Sequence, residues 1–195
     1  LAMGSGTVFS LHYGAGNHVA LRRSIFSSFA LIGIVTLILN VVVFIWLDPI
    51  LRLLQVPQDI YGMMHSYLWI IFCGIVFTFI YNFYASLLRA VGDSVTPLWF
   101  LAVSVVLNIA LDLFFILQLD WGIQGAAAAT VLAQGVAALG IIIYTYRRRP
   151  ELRWHHEDMC FDRTCLKEIA SFSTLTCVQQ SVMNLGILMI QGLVN

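Results

Sequence analysis

Five long apolar runs, separated by short polar connections, organise the chain. They cover about 25–47, 61–88, 98–119, 123–146 and 169–194, and each is long enough as a helix to cross a hydrocarbon core of about 30 Å. Residues 1–13 are small and apolar and read as the tail of a further spanning helix, closed by the turn Gly14-Ala15-Gly16-Asn17. Asp48-Pro49 is expected to end the first complete run, because proline disfavours helix at the residue before it. That leaves 49–59, bounded by Pro57, as a short amphipathic loop at the interface. The second run has Tyr, Trp and Phe near both ends, as an interfacial belt requires. RAVGDSVTP at 89–97 and Asp120-Trp121-Gly122 read as tight turns.

The fifth run is more polar and carries Gln179, Gln180, Asn184 and Gln191. At helical spacing Gln180, Asn184 and Gln191 fall towards one side, where contact with lipid would be expensive. This helix is expected to turn its amides towards protein or a watery interior. Before it lies the one strongly polar stretch, RRRPELRWHHEDMCFDRTCLK at 147–167. The apolar residues at both ends suggest a piece of a longer protein. The polar stretch 147–168 reads as a solvated connection between the apolar runs on either side of it.

Composition and charge turn this pattern into a membrane protein with a defined orientation. The chain has 195 residues, of which 60% are hydrophobic and only 10% charged, against about 25% charged in soluble domains. The expected class is therefore an all-α integral membrane bundle, multi-pass in the cell membrane, with the bilayer as its principal environment. Zero net charge argues against a nucleic-acid partner, which would need a basic face. Arg22, Arg23, Arg89, Arg147, Arg148, Arg149, Arg153, Arg163 and Lys167 all fall in alternate connections, and only Arg52 falls in the other set. The positive-inside rule therefore places 14–24, 89–97 and 147–168 on the cytoplasmic side. Cys73 and Cys177 lie in apolar runs, where cysteine acts as a small hydrophobe, and Cys160 and Cys165 suggest no disulfide framework.

Candidate chemistry concentrates in the third and fourth runs. Asp112 is the one carboxylate well inside an apolar run; Asn108 lies one turn before it and Ser104 one turn before that, all on one helix face. A charge at bilayer depth costs a few kcal/mol even on lenient scales, and no Lys or Arg lies in these spans. Protonation relieves that cost, because desolvation raises a carboxyl pKa. A bound cation relieves it equally, with Asn108 and Thr130 as neutral oxygen ligands. The alternative is that Asp112, eight residues before Asp120, is a helix end that reaches water. The small residues of 122–129 form a close-packing face that could bring Thr130 near Asp112. Ser104, Gln134, Gln180 and Asn184 are possible cavity-lining groups.

Other polar clusters carry less. His12 reads as an interfacial residue rather than a proton relay. His155, His156, Asp158, Cys160, Asp162 and Cys165 match no standard zinc spacing and read as a solvated loop. No GxSxG, HExxH, Walker or dinucleotide motif is present, so neither an enzyme, a resident cofactor nor a metal site is expected.

GAGN at 14–17, LRAVGDSVTP at 88–97, NIALD at 108–112, GIQGAAAAT at 122–130 and QQSVMNLG at 179–186, in this order and spacing, resemble the multidrug and toxic compound extrusion (MATE) transporters. The resemblance implies twelve helices in two lobes that alternate between inward and outward states, of which this chain supplies helices two to seven, with 1–146 as part of the first lobe, 147–168 as the linker between lobes and 169–195 as the first helix of the second lobe. It also implies that Asn108, Asp112 and Thr130 belong to a first-lobe site for the coupling ion, H+ or Na+, which further uses an Asp on the first helix. The acidic residue that another branch places on helix seven has no counterpart, since Gln179 and Gln180 stand there. The implied activity is antiport of small organic, often cationic, drugs or metabolites, with the remainder of the same transporter chain as partner. A lipid-linked oligosaccharide flippase of the same superfamily, or a non-transporting structural subunit, is the alternative. A flippase needs a larger, more basic cavity, and these spans have no internal Lys or Arg.

Overall fold

A computed structural model describes residues 2–53, 57–152 and 163–194. The described chain is helical: α1 (Ala2–Gly14), α2 (His18–Leu53), α3 (Gln58–Ala90), α4 (Val95–Leu117), α5 (Gly122–Arg148), a 3₁₀ turn at Pro150–Leu152 and α6 (Arg163–Val194). The spans His18–Pro49, Ile60–Ala90, Val95–Leu117 and Gly122–Arg148 are long and apolar enough to cross a membrane. Helices of this kind satisfy their backbone N–H and C=O groups internally, without water. α6 has the length but carries the amides of Gln179, Gln180, Asn184 and Gln191.

The first apolar run does not stop at Asp48-Pro49, as the proline rule leads one to expect; α2 continues to Leu53 with Pro49 inside it. Tertiary burial explains the difference. Leu47 and Leu51, one turn apart on either side of the proline, are both buried. Asp48 accepts a hydrogen bond from Tyr61 of α3 at 2.6 Å. These contacts outweigh the local preference of the residue before proline. The expected loop at 49–59 is therefore two helix ends with a brief connection between them. The linker expected at 147–168 is shorter as well, since α5 reaches Arg148, α6 begins at Arg163, and Leu152 of the 3₁₀ turn is buried against the bundle. His155, His156, Asp158, Cys160 and Asp162 lie outside the described residues.

Two tight turns have the chemistry their sequences promise. Gly92 takes φ +88° after α3, a conformation nearly closed to residues with a Cβ. Between α4 and α5, Asp120 and Gly122 have φ +52° and +53°, and Trp121 stacks on Phe115 with ring centroids 5.4 Å apart.

The bundle closes through small residues, because lipid offers no hydrophobic drive between helices and close backbone approach must replace it. α5 lies against both α3 and α4 and buries Gly125, Ala127, Ala129, Ala133, Gly135, Ala137 and Ala138. Val131 seats on Gly74 of α3, Phe100 of α4 seats on Gly140, and Phe115 lies against Gly125. The large buried side chains, Phe9, Leu21, Ile25, Phe83, Leu87, Leu88 and Ile141, join α1, α2, α3 and α5. Phe9, Phe29 and Phe79 surround the ring of Phe83, with centroids 6.0, 5.1 and 6.2 Å from it. Farther along the pair, Asn40 of α2 donates to the Phe72 carbonyl of α3 at 2.8 Å. On α4 only Pro97 is buried, and most of its Val, Leu and Ile side chains face outward, with Leu107 and Leu111 half-buried.

Among the glycines, the tightest approach to another helix's main chain is that of α1 to α6 at Gly4. A Cβ on Gly4 would lie 2.5 Å from the Ser173 Cα and 2.7 Å from its backbone nitrogen, so the clash is with main chain that cannot rotate away. A Cβ on Gly62 of α3 would meet nothing within 4 Å. Gly4→Ala is expected to destabilise the bundle by about 1–3 kcal/mol through overpacking. Gly62→Ala should be neutral, or stabilising by up to about 1 kcal/mol through helix propensity. Thermal unfolding of the detergent-solubilised chain checks this pair; equal midpoints for the two variants would contradict the close packing.

Candidate functional site

The site lies where α3, α4 and α5 face one another. The packing of α5 against α4 brings together residues 22 positions apart, and the Asn108 amide nitrogen donates to the Thr130 hydroxyl at 3.3 Å. Thr130 spends its own proton on the Ala126 carbonyl, 3.0 Å away in the preceding turn, so the lone pairs of its oxygen are left for Asn108. The Asn108 side-chain carbonyl remains available as an acceptor or a cation ligand.

Asp112 follows one turn later on α4. Its Oδ1 is buried and has no hydrogen-bond partner, and among the described residues no ion pair includes it. A buried oxygen of this kind normally finds a donor. An ionised carboxylate left so would be costly, whereas a proton or a cation would supply what is missing.

Beside this group opens a cleft of about 320 Å³. Ser104 and Asn108 of α4 line it together with Thr130 and Gln134 of α5, while Asp112 does not. Its third wall comes from Thr78, Tyr81 and Asn82 of α3. Thr78 donates to the Gln134 carbonyl oxygen, Asn82 donates to the Thr78 carbonyl at 2.8 Å, and Tyr81 donates to the Pro97 carbonyl at 2.7 Å. The α3 residues are the ones that sequence reasoning missed. The signal was present, since positions 78, 81 and 82 share one helix face, but an aromatic-rich run concealed it. The lining is mainly apolar and carries no formal charge, with hydroxyl and amide groups set among Leu101, Val105, Ala133 and Ala137. Gln180 and Asn184 lie elsewhere, in a groove of about 280 Å³ lined also by Met3 and Thr176.

A second polar network ties the cytoplasmic ends together. Asp93, in the turn before α4, accepts the Thr96 N–H at 3.1 Å and the Thr96 hydroxyl at 2.8 Å. The Tyr144 hydroxyl of α5 donates to it at 3.4 Å, and Arg149 approaches to 4.0 Å. Burial pushes the Asp93 carboxyl up, but Thr96, Tyr144 and Arg149 outweigh it and hold the carboxyl below its ordinary value. His12, at the end of α1, lies 3.9 Å from Glu168 of α6, a position that suits an interfacial residue. Asp93, Arg149 and His12 thus meet partners across the set of connections that charge assigns to the cytoplasm.

Residues 1–114 match the sequence model of the MatE family. The chain is 45% identical over 102 residues to the probable multidrug resistance protein YpnP of Bacillus subtilis (strain 168), covering 52% of this chain and 23% of that protein. It is 32% identical over 158 residues to the probable multidrug resistance protein YoeA of the same organism, covering 79% of this chain and 34% of that protein. The chain thus spans about a quarter to a third of these relatives. Among solved structures, its fold is similar to an inward-facing conformation of a multidrug resistance MATE family transporter (TM-score 0.82, 23% identity, 88% of this chain and 39% of that one). It is also similar to an outward-facing conformation (TM-score 0.79, 23% identity, 86% and 38%).

The Asp93 network gives a pH-dependent expectation. A carboxyl held below its unfolded pKa contributes stability that is present above the unfolded value, about 3.9, and lost as pH falls through the folded one. Asp93→Ala should cost about 1–2 kcal/mol at neutral pH, from the lost helix cap and the stranded donors. The gap between wild type and variant should narrow below about pH 4. Chemical unfolding of both proteins between pH 3 and pH 7 checks it, and a gap independent of pH would contradict the charged network.

Proposed function

The chain belongs to the MatE family, and from that premise we propose that it forms part of a cation-coupled antiporter that exports small organic molecules. The observation that carries the proposal is the Asn108–Thr130 hydrogen bond across α4 and α5, one turn from the buried, unpartnered Oδ1 of Asp112. The multidrug resistance descriptions of the similar proteins support export as the direction of transport. The chemistry follows from the cost of charge at depth. In the outward state Asp112 takes up H+ or Na+ and becomes electrically neutral with its load. Loading changes what Asn108 and Thr130 must satisfy, and with them the α4–α5 wall of the cleft. Substrate leaves outward; the ion leaves inward after the bundle rearranges. An equilibrium of this kind shifts only by the differential affinity of the two states for the ion.

The cleft suits a molecule with a flat apolar body and one or two hydrogen-bonding groups, since amides and hydroxyls alternate with Leu, Val and Ala. A lipid-linked oligosaccharide flippase is disfavoured by the uncharged lining, which offers a pyrophosphate no cation.

The test is efflux of a fluorescent organic cation by the full-length transporter containing this segment, driven by an imposed pH gradient or, separately, a Na+ gradient. Asp112→Asn at matched expression is expected to abolish efflux. Thr130→Val, which strands the Asn108 donor, should reduce it about tenfold. Unchanged efflux with Asp112→Asn would reject the coupling role.

A further inference from the structure

A second groove, of about 420 Å³, lies between α1 and α3 and shares no residue with the transport cleft. Met3, Gly6, Thr7 and Ser10 of α1 line one side, and Ser86 and Arg89 of α3 line the other. Arg89 is exposed, and among the described residues it has no carboxylate within ion-pair distance. Its Nη2 donates to the Ser86 hydroxyl at 3.4 Å, which holds the guanidinium at the mouth of the groove. Ser10 donates to the Thr7 carbonyl at 2.8 Å, keeping its oxygen as an acceptor, while the exposed Thr7 hydroxyl adds a donor beside Arg89.

The groove has a direction. α1 ends at Gly14 and α3 at Ala90, both on the side that the arginines mark as cytoplasmic. Arg89 and Ser10 therefore sit near headgroup level, while Met3 lies about 10 Å deeper along α1. At Gly6, where a Cβ would stand 3.6 Å from the Ser86 carbonyl, the lack of a side chain keeps the floor low. A cation and hydroxyl groups at the membrane surface, with the groove continuing past Gly6 to Met3 at depth, match the phosphate and the beginning of an acyl chain of one phospholipid. Arg22, Arg23, Arg147, Arg148 and Lys167 on the same side of the membrane favour a lipid of net negative charge over a zwitterionic one.

We propose that the α1–α3 groove is a binding site for an anionic phospholipid of the cytoplasmic leaflet, with Arg89 holding the headgroup phosphate. Native mass spectrometry of the full chain in neutral detergent tests this, with phosphatidylglycerol and phosphatidylcholine of identical acyl chains titrated separately. One phosphatidylglycerol should be retained at a lower concentration than phosphatidylcholine. Arg89→Gln should weaken that retention about tenfold, and Arg89→Lys should keep most of it. Thr7→Leu fills the groove from an exposed position, so it should also weaken binding even where Arg89→Gln disturbs folding, and Arg52→Gln on the opposite side should change nothing. Equal retention of the two lipids, or wild-type retention in both Arg89→Gln and Thr7→Leu, overturns the proposal. Displacement of the lipid by an equal concentration of glycerol 3-phosphate also overturns it, since the site would then take free phosphate.

Discussion

Close backbone contact through glycine and alanine is the constraint on which the rest of this structure depends. In water, burying apolar surface would hold six helices together; in lipid that drive is absent between helices, and packing with a few interhelical hydrogen bonds must do the work. α5 supplies it, with a face of small residues against α3 and α4. This face fixes where Thr130 and Gln134 emerge, and so it builds the cleft. A bulkier α5 would push α4 away and separate Asn108 from Thr130. Packing and site are thus one feature of the chain.

In the proposed mechanism the same packing makes Asp112 useful. The residue is half-buried, but its Oδ1 is shut off from solvent and has no hydrogen-bond partner, a place that a proton or a cation would fill. Among the described residues no arginine or lysine forms an ion pair with it. At the cytoplasmic end the opposite arrangement holds. Asp93 is fully engaged by Thr96, Tyr144 and Arg149, and serves to fasten the α3–α4 turn to the end of α5.

Much of this was legible in the sequence because membrane helices obey few and strong rules. Hydropathy located the spans, and the arginines oriented them. The pair Asn108 and Asp112 stood out as polar groups in an apolar run, and GIQGAAAAT announced a packing face. The misreadings have a common cause. Pro49 was expected to end a helix because local propensity says so, yet burial of Leu47 and Leu51 carries α2 onward. Thr78, Tyr81 and Asn82 escaped notice because their role depends on which face of α3 meets α5, a matter of tertiary rotation that the aromatic pattern of that run does not encode. Gln180 and Asn184 line a separate groove with Met3 of α1, a placement set by how α6 packs on α1 and not by the pattern of α6 alone.

The central claim is that Asp112 exchanges its ion for substrate. The most direct measurement is proton or Na+ release when a fluorescent organic cation binds to the detergent-solubilised full-length transporter, recorded in weakly buffered solution with pH and Na+ electrodes. Release of close to one ion per substrate bound is expected from the wild type, and none from Asp112→Asn at saturating substrate. Equal release by both proteins would contradict the claim.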